Sequence, residues 1–505
     1  MISIFCEDIE INYIDLYELV RSFYPFEDIQ CINSVNQKNN ADYLIEIRSN
    51  DTNCIANAYI NGQLRERVCM DLKSTLIYRD AITTKKITVK KALYRLLNKL
   101  TEIDLPWGIL TGIKPVKIPS FLLKYGLRKE SIEDILVNQY YLSKSKAKMA
   151  VDIAVSQHRI IDNIKNNNYS LYINIPFCPS RCSYCSFPSL PIGKYKNIVY
   201  EYTDKLIEEI KAVSNFMSGF EVNTIYIGGG TPTSLPIELI EKILFNIKLL
   251  YPNTIELTVE AGRPDTIDFE KLSIMYKYGV DRISINPQTM NDSTLKVIGR
   301  KHSSEDVIKT YTIAKEVGIK TVNMDLIIGL PGECIEDVKT TLKKLEPLRP
   351  DNLTVHALAY KKGSALTNNN EYELSTSNIV EKMQNECIKF AYSNSLSPYY
   401  LYRQKMMVGN LENIGFSRGD NPCIYNISMM EEKETIIGCG MGATSKIYNK
   451  GNDSFKRIAN PKDINLYFER FYESISNKIE ALKLCNWIWT VIVDSISKIN
   501  YNKHN

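Results

Sequence analysis

Residues 171–187 read LYINIPFCPSRCSYCSF, a short apolar run that opens at once into three cysteines. LYINI has the length of a strand, and Cys178, Cys182 and Cys185 follow it with the spacing C-x3-C-x2-C. Five further apolar runs lie downstream: TIYIG (224–228), IELTVE (255–260), DRISIN (281–286), KTVNMDLIIG (320–329) and NLTVHALAY (352–360). Between them run helix-period segments such as YTDKLIEEIKAV (202–213) and PIELIEKILFNIKLL (236–250). Strand alternating with helix predicts an α/β fold with a parallel sheet and crossover helices. Six such units predict a partial parallel (β/α)6 barrel, although periodicity alone does not separate it from an open doubly wound sheet.

Outward from this core the chain reads as three stretches, 1–165, 166–370 and 371–505. The first is an α+β region of unassigned role. It carries strand-like runs (MISIFC, DYLIEIRSN, NCIANAYING) and an amphipathic segment, Ile87–Leu100, expected to be a helix covering a sheet with its basic residues solvated. The third is mixed, with helical ends, and is expected to cover the substrate. The 505 residues carry 62 Lys and Arg against 58 acids, a net charge of +4, which gives no general case for binding nucleic acid or a membrane surface. No apolar run approaches the roughly 18–20 residues needed to span a bilayer. The N-terminal MISIFCEDIEI lacks the basic and apolar character of a signal peptide, so a cytoplasmic location without membrane insertion is expected.

Nine of the twelve cysteines are scattered (Cys6, Cys31, Cys54, Cys69, Cys334, Cys387, Cys423, Cys439 and Cys485) and read as small buried hydrophobes. The three in CPSRCSYC differ. Three thiolates on one tight loop can hold three irons of a 4Fe-4S cube and leave the fourth open to a ligand. A structural zinc site normally closes with four ligands, and no histidine or fourth cysteine follows within 20 residues, which favours the cluster. Strand two runs into Gly228-Gly229-Gly230-Thr231-Pro232-Thr233, a turn that lets backbone approach a ligand closely. The remaining polar candidates also follow strand ends: Glu260, Gln288 in INPQT, Arg300 after a short helix, Asp325 within strand five, and His356 and Ala359 on strand six. Parallel barrels build their active sites at the C-terminal ends of their strands.

With CPSRCSYC, GGGTPT, Glu260, the NPQ turn and MDLIIGLPG together, the sequence resembles the radical S-adenosylmethionine (SAM) enzymes. Among them it is most similar to the oxygen-independent coproporphyrinogen III oxidase (dehydrogenase) family. PWGILTGIKPVKI (106–118) and YYLYRQKMMVGNLENIGF (399–416) resemble its HemZ-type branch. The resemblance implies a 4Fe-4S cluster held by Cys178, Cys182 and Cys185, whose open iron is chelated by SAM. It implies that Tyr172, Gly230 and Glu260 bind a first SAM, that Thr231, Pro232, Gln288, Arg300, Asp325 and Ala359 surround a second, and that Gly229 also binds cofactor.

The implied activity is oxidative decarboxylation of two coproporphyrinogen III propionates to the vinyl groups of protoporphyrinogen IX, in porphyrin and haem biosynthesis. It also implies an electron donor such as flavodoxin or ferredoxin. The tetrapyrrole's carboxylates call for cations, for which Arg181, Lys361, Lys362, Arg403 and Lys405 are candidates, each otherwise an exposed solubilising charge.

The chain departs from the family at Phe187, where members with the established activity carry a fourth cysteine. Two other functions fit the same core: a haem-binding chaperone, and a radical methyltransferase or ring-opening enzyme acting on haem or another tetrapyrrole. The chaperone branch typically shows His-Asn-x-x-Tyr-Trp where this chain has Tyr425-Asn426-Ile427-Ser428-Met429-Met430.

Overall fold

The computed structural model describes residues 1–7, 12–34, 37–38, 41–50, 52–72, 81–112, 114–165, 167–359, 377–404 and 411–484. Two compact units divide the chain, Met1–Val155 and Ser156–Asn505.

In the first unit, β1 (Ile2–Cys6), β2 (Ile29–Ile32), β3 (Tyr43–Ser49), β4 (Asn53–Ile60) and β5 (Gln63–Asp71) form a sheet in the order β2-β1-β3-β4-β5. β1 runs parallel to both neighbours, and β3, β4 and β5 form an antiparallel meander. The expected covering helix runs Ala81–Thr101 and packs Val89, Leu93, Leu96 and Leu97 into a core with Ile4, Ile45 and Ile47. Its basic residues are not all solvated. Lys91 is buried, and its Nζ donates to Gln139 Oε1 at 3.0 Å.

The second unit is built on one eleven-stranded sheet. The six parallel strands at its centre are β6 (Asn168–Ile175), β7 (Glu221–Gly229), β8 (Glu256–Gly262), β9 (Arg282–Ile285), β10 (Thr321–Ile328) and β11 (Asn352–Ala357). Helices cross between them, among them Ile198–Phe216, Ile237–Leu250, Phe269–Lys277, Ser304–Val317 and Ile335–Leu345. The sheet is thus the partial (β/α)6 barrel that the alternating pattern predicts. C-terminal strands extend both edges. β12 (Leu396–Tyr402) and β13 (Asn413–Arg418) join antiparallel beyond β11, and β14 (Thr435–Cys439) lies parallel to β6. β15 (Thr444–Asn449) and β16 (Ser454–Ala459) then complete the order β12-β13-β11-β10-β9-β8-β7-β6-β14-β15-β16.

The period of two along each strand sorts the side chains. Ile175, Ile227 and Val259 meet Ile240, Ile243 and Leu244 of the helix Ile237–Leu250 around a small apolar cavity. The alternate positions face the barrel interior and are polar, with Glu256, Thr258 and Glu260 on β8, Arg282 and Ser284 on β9, and Asn323 and Asp325 on β10. Registers align Thr258 with both Tyr226 and Arg282, and Asp325 with Thr354. The runs are therefore apolar on one face only.

The buried reading of the scattered cysteines holds for Cys6, Cys54, Cys387, Cys423 and Cys439 and fails for Cys31, Cys69 and Cys334, which are exposed. Cys31 sits on the edge strand β2, Cys69 alternates outward on β5, and Cys334 caps a helix. Cys485 lies outside the described residues. No helix among the described residues is long and apolar enough to cross a membrane.

Candidate functional site

The cysteine loop leaves β6 at Pro176 and is pinned at both ends. Cys185 N donates to Cys182 O and Ser183 N to Ile298 O, each at 3.1 Å, while Phe177–Cys178 pairs with Leu190–Pro191. Cys182 is buried, and Cys178 and Cys185 are half-buried, with burial pushing both of their thiols up. Among the described residues no three His, Cys, Asp or Glu side chains gather round one point as a single-ion site. The donor set, three thiols on one tight loop, is what fits a cluster.

The glycine turn packs directly on this loop. Gly230 N donates to Ile175 O at 2.8 Å and Thr231 N to Phe177 O at 2.7 Å. A Cβ on Gly230 would lie 2.6 Å from Phe177 O and 3.0 Å from Cys178 Sγ, so only glycine fits. Gly229 has φ +110°, and a Cβ there would run into the Asn174 amide. Thr231 Oγ1 stands 3.5 Å from Cys178 Sγ, and Pro232 opens the buried turn that follows.

Glu260 and Asp325 face each other inside the barrel with their acidities driven apart. Burial, followed by the charge of Asp325, pushes Glu260 up to about 7, and Gly229 N donates to its Oε2 at 3.4 Å. Burial works to raise Asp325 as well. There the His356 imidazole, 3.8 Å from Oδ2, and the Asn323 amide, 2.7 Å from Oδ1, outweigh it and hold the carboxyl below its usual value. Gln288 N donates to Asp325 O at 2.9 Å, and Gln288 adopts φ +66°, a strained conformation that points to a functional position.

Arg300 reaches back to the cysteine loop, where its Nη2 and Nε donate to Tyr184 OH at 2.8 and 3.3 Å. It is buried, and no carboxylate among the described residues stands within ion-pair distance. Tyr172 lies deeper on β6. Its OH donates to Asn174 Oδ1 at 2.9 Å, and its ring stacks with Tyr226 and Tyr425, each at 6.3 Å between centroids. Ala359 follows β11 at the same end of the sheet.

These positions share an unmet need. Thr258 Oγ1, Ser284 Oγ, Asn286 Oδ1, Gln288 Oε1 and Arg300 Nη1 are buried without a hydrogen-bond partner. Buried polar atoms are normally satisfied; others lie elsewhere in the fold, Arg282 Nε and Tyr425 OH among them, but Asn286, Gln288 and Arg300 all follow β9 at its C-terminal end, where a polar, partly anionic ligand would fit. SAM, with its carboxylate and its ribose hydroxyls, has that chemistry.

Two elements escape a reading of motifs. Arg263, buried after β8, donates from Nη1 to Ser180 O at 3.1 Å and reaches Cys182 Sγ at 3.9 Å, while pairing with Asp265 at 2.8 Å. The turn GCGMGA (438–443) is brought to the site by β14, and Met441 O accepts from Asn174 Nδ2 at 2.6 Å. Its signal is an apolar run entering glycines, IIGCGMGA, the same pattern as TIYIGGG. Of the candidate substrate cations, Arg181 is exposed on the cysteine loop and Arg403 is buried, contrary to the solvated reading. Lys361, Lys362 and Lys405 lie outside the described residues. Phe187 is exposed.

The fold and the three-cysteine loop together define a radical SAM protein, and the model of the radical SAM superfamily matches residues 172–345. The oxygen-independent coproporphyrinogen-III oxidase-like protein HemZ of Bacillus subtilis is 37% identical over 454 residues, 88% of this chain and 91% of that protein. The chain belongs to this family, in its HemZ branch. It is also similar to the heme chaperone HemW of Buchnera aphidicola, 29% identical over 60% of this chain and 76% of that one. The solved coproporphyrinogen III oxidase of Escherichia coli shares the fold at a TM-score of 0.51 and 22% identity, covering 64% of this chain and 73% of that structure. A fold of this class implies a 4Fe-4S cluster and SAM.

Proposed function

We propose that the protein is a radical SAM oxidoreductase that decarboxylates coproporphyrinogen III propionates to vinyl groups without oxygen. The observation that carries the reading is the convergence of the cysteine loop, the glycine turn, Glu260, Gln288, Arg300 and Asp325 at one end of the barrel, among polar atoms lacking partners. When bound, the cluster and SAM supply one-electron cleavage of SAM to methionine and a 5′-deoxyadenosyl radical. Cys178, Cys182 and Cys185 would hold the cluster, and Tyr172, Gly229, Gly230 and Glu260 the first SAM. Thr231, Pro232, Gln288, Arg300, Asp325 and Ala359 would surround a second.

The overall reaction removes one hydrogen atom from a propionate β-carbon, releases the carboxyl as carbon dioxide and passes one further electron to an acceptor. The chain's part is positioning and exclusion of water. The glycine turn admits a ligand beside the cysteine loop, Arg300 offers an unpaired donor to an anion, and the stacked Tyr172, Tyr226 and Tyr425 close the interior below. An acidic one-electron carrier such as flavodoxin or ferredoxin would supply the reducing electron.

The chaperone reading is less well supported by the chain's own residues. Tyr425 stacks on Tyr226 at 4.6 Å inside the barrel, Cys423 contacts Glu256, and Met429 Sδ accepts from Lys446 Nζ. The residues that replace the chaperone-type motif are thus engaged within the fold. The reaction is tested with anaerobically reconstituted protein, dithionite, SAM and coproporphyrinogen III, following 5′-deoxyadenosine and tetrapyrrole together by chromatography. Deoxyadenosine with protoporphyrin after oxidation is the expected result. Deoxyadenosine alone would move the substrate elsewhere, with haem the next to try.

A further inference from the structure

On the outer side of β6 and β14 the chain buries a complete ion pair. Glu209, on the helix Ile198–Phe216, is 1% exposed, and Lys478, on the helix Phe471–Leu484, is 0% exposed. The Glu209 carboxylate accepts four hydrogen bonds. Oε1 takes Lys478 Nζ and Asn460 Nδ2 (2.8 Å), and Oε2 takes Gly440 N (2.8 Å) and Tyr467 OH (2.9 Å). Lys478 Nζ also donates to Gly438 O at 2.6 Å, and Asn460 Nδ2 to Gly440 O at 2.8 Å. The network converges on one turn, 438–442.

That turn faces the candidate SAM site. Met441 N donates to Tyr202 OH at 3.1 Å, and Tyr202 OH donates to Asn174 O at 2.6 Å. Met441 O accepts from Asn174 Nδ2 at 2.6 Å. With its nitrogen engaged there, Asn174 turns its single side-chain acceptor to the Tyr172 hydroxyl and to the space beside Gly229. Gly440 has no room for a side chain, since a Cβ would stand 2.6 Å from both Asn174 O and Tyr202 OH.

We infer that Lys478 and Glu209 are positioning residues for SAM, fixing the 438–442 turn and through it the Asn174 amide that orients Tyr172 and shapes the edge of Gly229. The inference rests on the reading of Tyr172 and Gly229 as SAM contacts. A buried ion pair stabilises little beyond an apolar pair of equal volume. What it adds is direction, because every donor here has a defined acceptor.

The test is SAM affinity by equilibrium dialysis on the reconstituted holoprotein, with iron content and thermal midpoint measured alongside. Lys478→Met is expected to weaken SAM binding about tenfold or more at unchanged iron content. Tyr202→Phe removes the hydroxyl that bridges Met441 N and Asn174 O while sparing the ion pair, and should weaken binding in the same direction but less, since Asn174 Nδ2 still reaches Met441 O. Lys483→Met, exposed on the same helix, should bind as the wild type does. If Lys478→Met does not fold, Tyr202→Phe decides. Wild-type affinity in a folded Lys478→Met or Tyr202→Phe protein, whatever its thermal midpoint, overturns the inference alone. A wild-type protein that holds its iron but binds no SAM overturns the SAM reading and this inference with it.

Discussion

Both ends of the barrel bury an arginine, and the two are treated in opposite ways. At the N-terminal ends of the strands, Arg282 is 5% exposed in its side chain and pairs with Glu256 at 3.2 Å. It also donates to Asn352, to Asn421 and to Pro422 O. Glu256 in turn accepts from Cys423 Sγ and from the backbone of Ile424 and Tyr425, closing the floor. At the opposite end Arg300 has one neutral partner, Tyr184, and an Nη1 with none. The floor leaves Arg282 Nε without a partner, yet it sets its arginine against a carboxylate, which is how a barrel's lower face contributes stability. The mouth gives its arginine only a neutral partner, which suits its upper face to an anionic ligand.

The largest way to test the contrast is at the mouth. Cys182→Ala should abolish the iron–sulfur absorbance and SAM cleavage together while leaving the floor folded. Retention of either signal in the purified variant would refute the cluster assignment. Arg300→Met should lower turnover about a hundredfold, the cost of removing one aimed donor. Its thermal midpoint should stay level or rise, because an unpaired buried charge disappears. Arg282→Met should do the reverse. Leaving Glu256 buried without its partner costs about 3–5 kcal/mol, read as a lower urea midpoint, with SAM affinity of the folded fraction unchanged. Equal destabilisation by the two substitutions would erase the distinction between the ends.

The mouth was more legible in the sequence than the floor, for physical reasons. Cys178, Cys182, Cys185 and Gly228–Gly230 are local signals, because a tight loop and a close backbone approach each need particular residues in a row. Glu260, Gln288, Arg300 and Asp325 could be placed at one end because parallel strands put all their C-termini there. Glu256 and Arg282 sit inside runs that read as apolar, and their pairing with Asn421 and Pro422 spans more than 130 residues. The edge strands β12, β13 and β14 are short and gain their place only by pairing with β11 and β6, which no local pattern encodes. Lys478 reads as an ordinary helix lysine, and its burial depends on Glu209, far away in sequence. Register between distant segments is what sequence periodicity omits.

The smallest effect sharpens the contrast through pH. Glu260 is raised from its ordinary 4.5 to about 7, first by burial and then by Asp325. The folded, ligand-free protein therefore binds this proton more tightly than the unfolded chain does. Stability falls as pH rises between the two values, by up to about 3 kcal/mol once both states are ionised. Glu260→Gln carries no such charge, so its stability relative to wild type should improve from about pH 5 to about pH 8. SAM brings a sulfonium and an ammonium, and a cation near Glu260 would pull its pKa down. Binding should then release a proton near neutral pH, seen as a buffer-dependent heat that Glu260→Gln loses. Parallel stability curves for the two proteins, with no difference in proton release, would show that Glu260 is as settled as Glu256, and that the mouth holds no poised carboxyl.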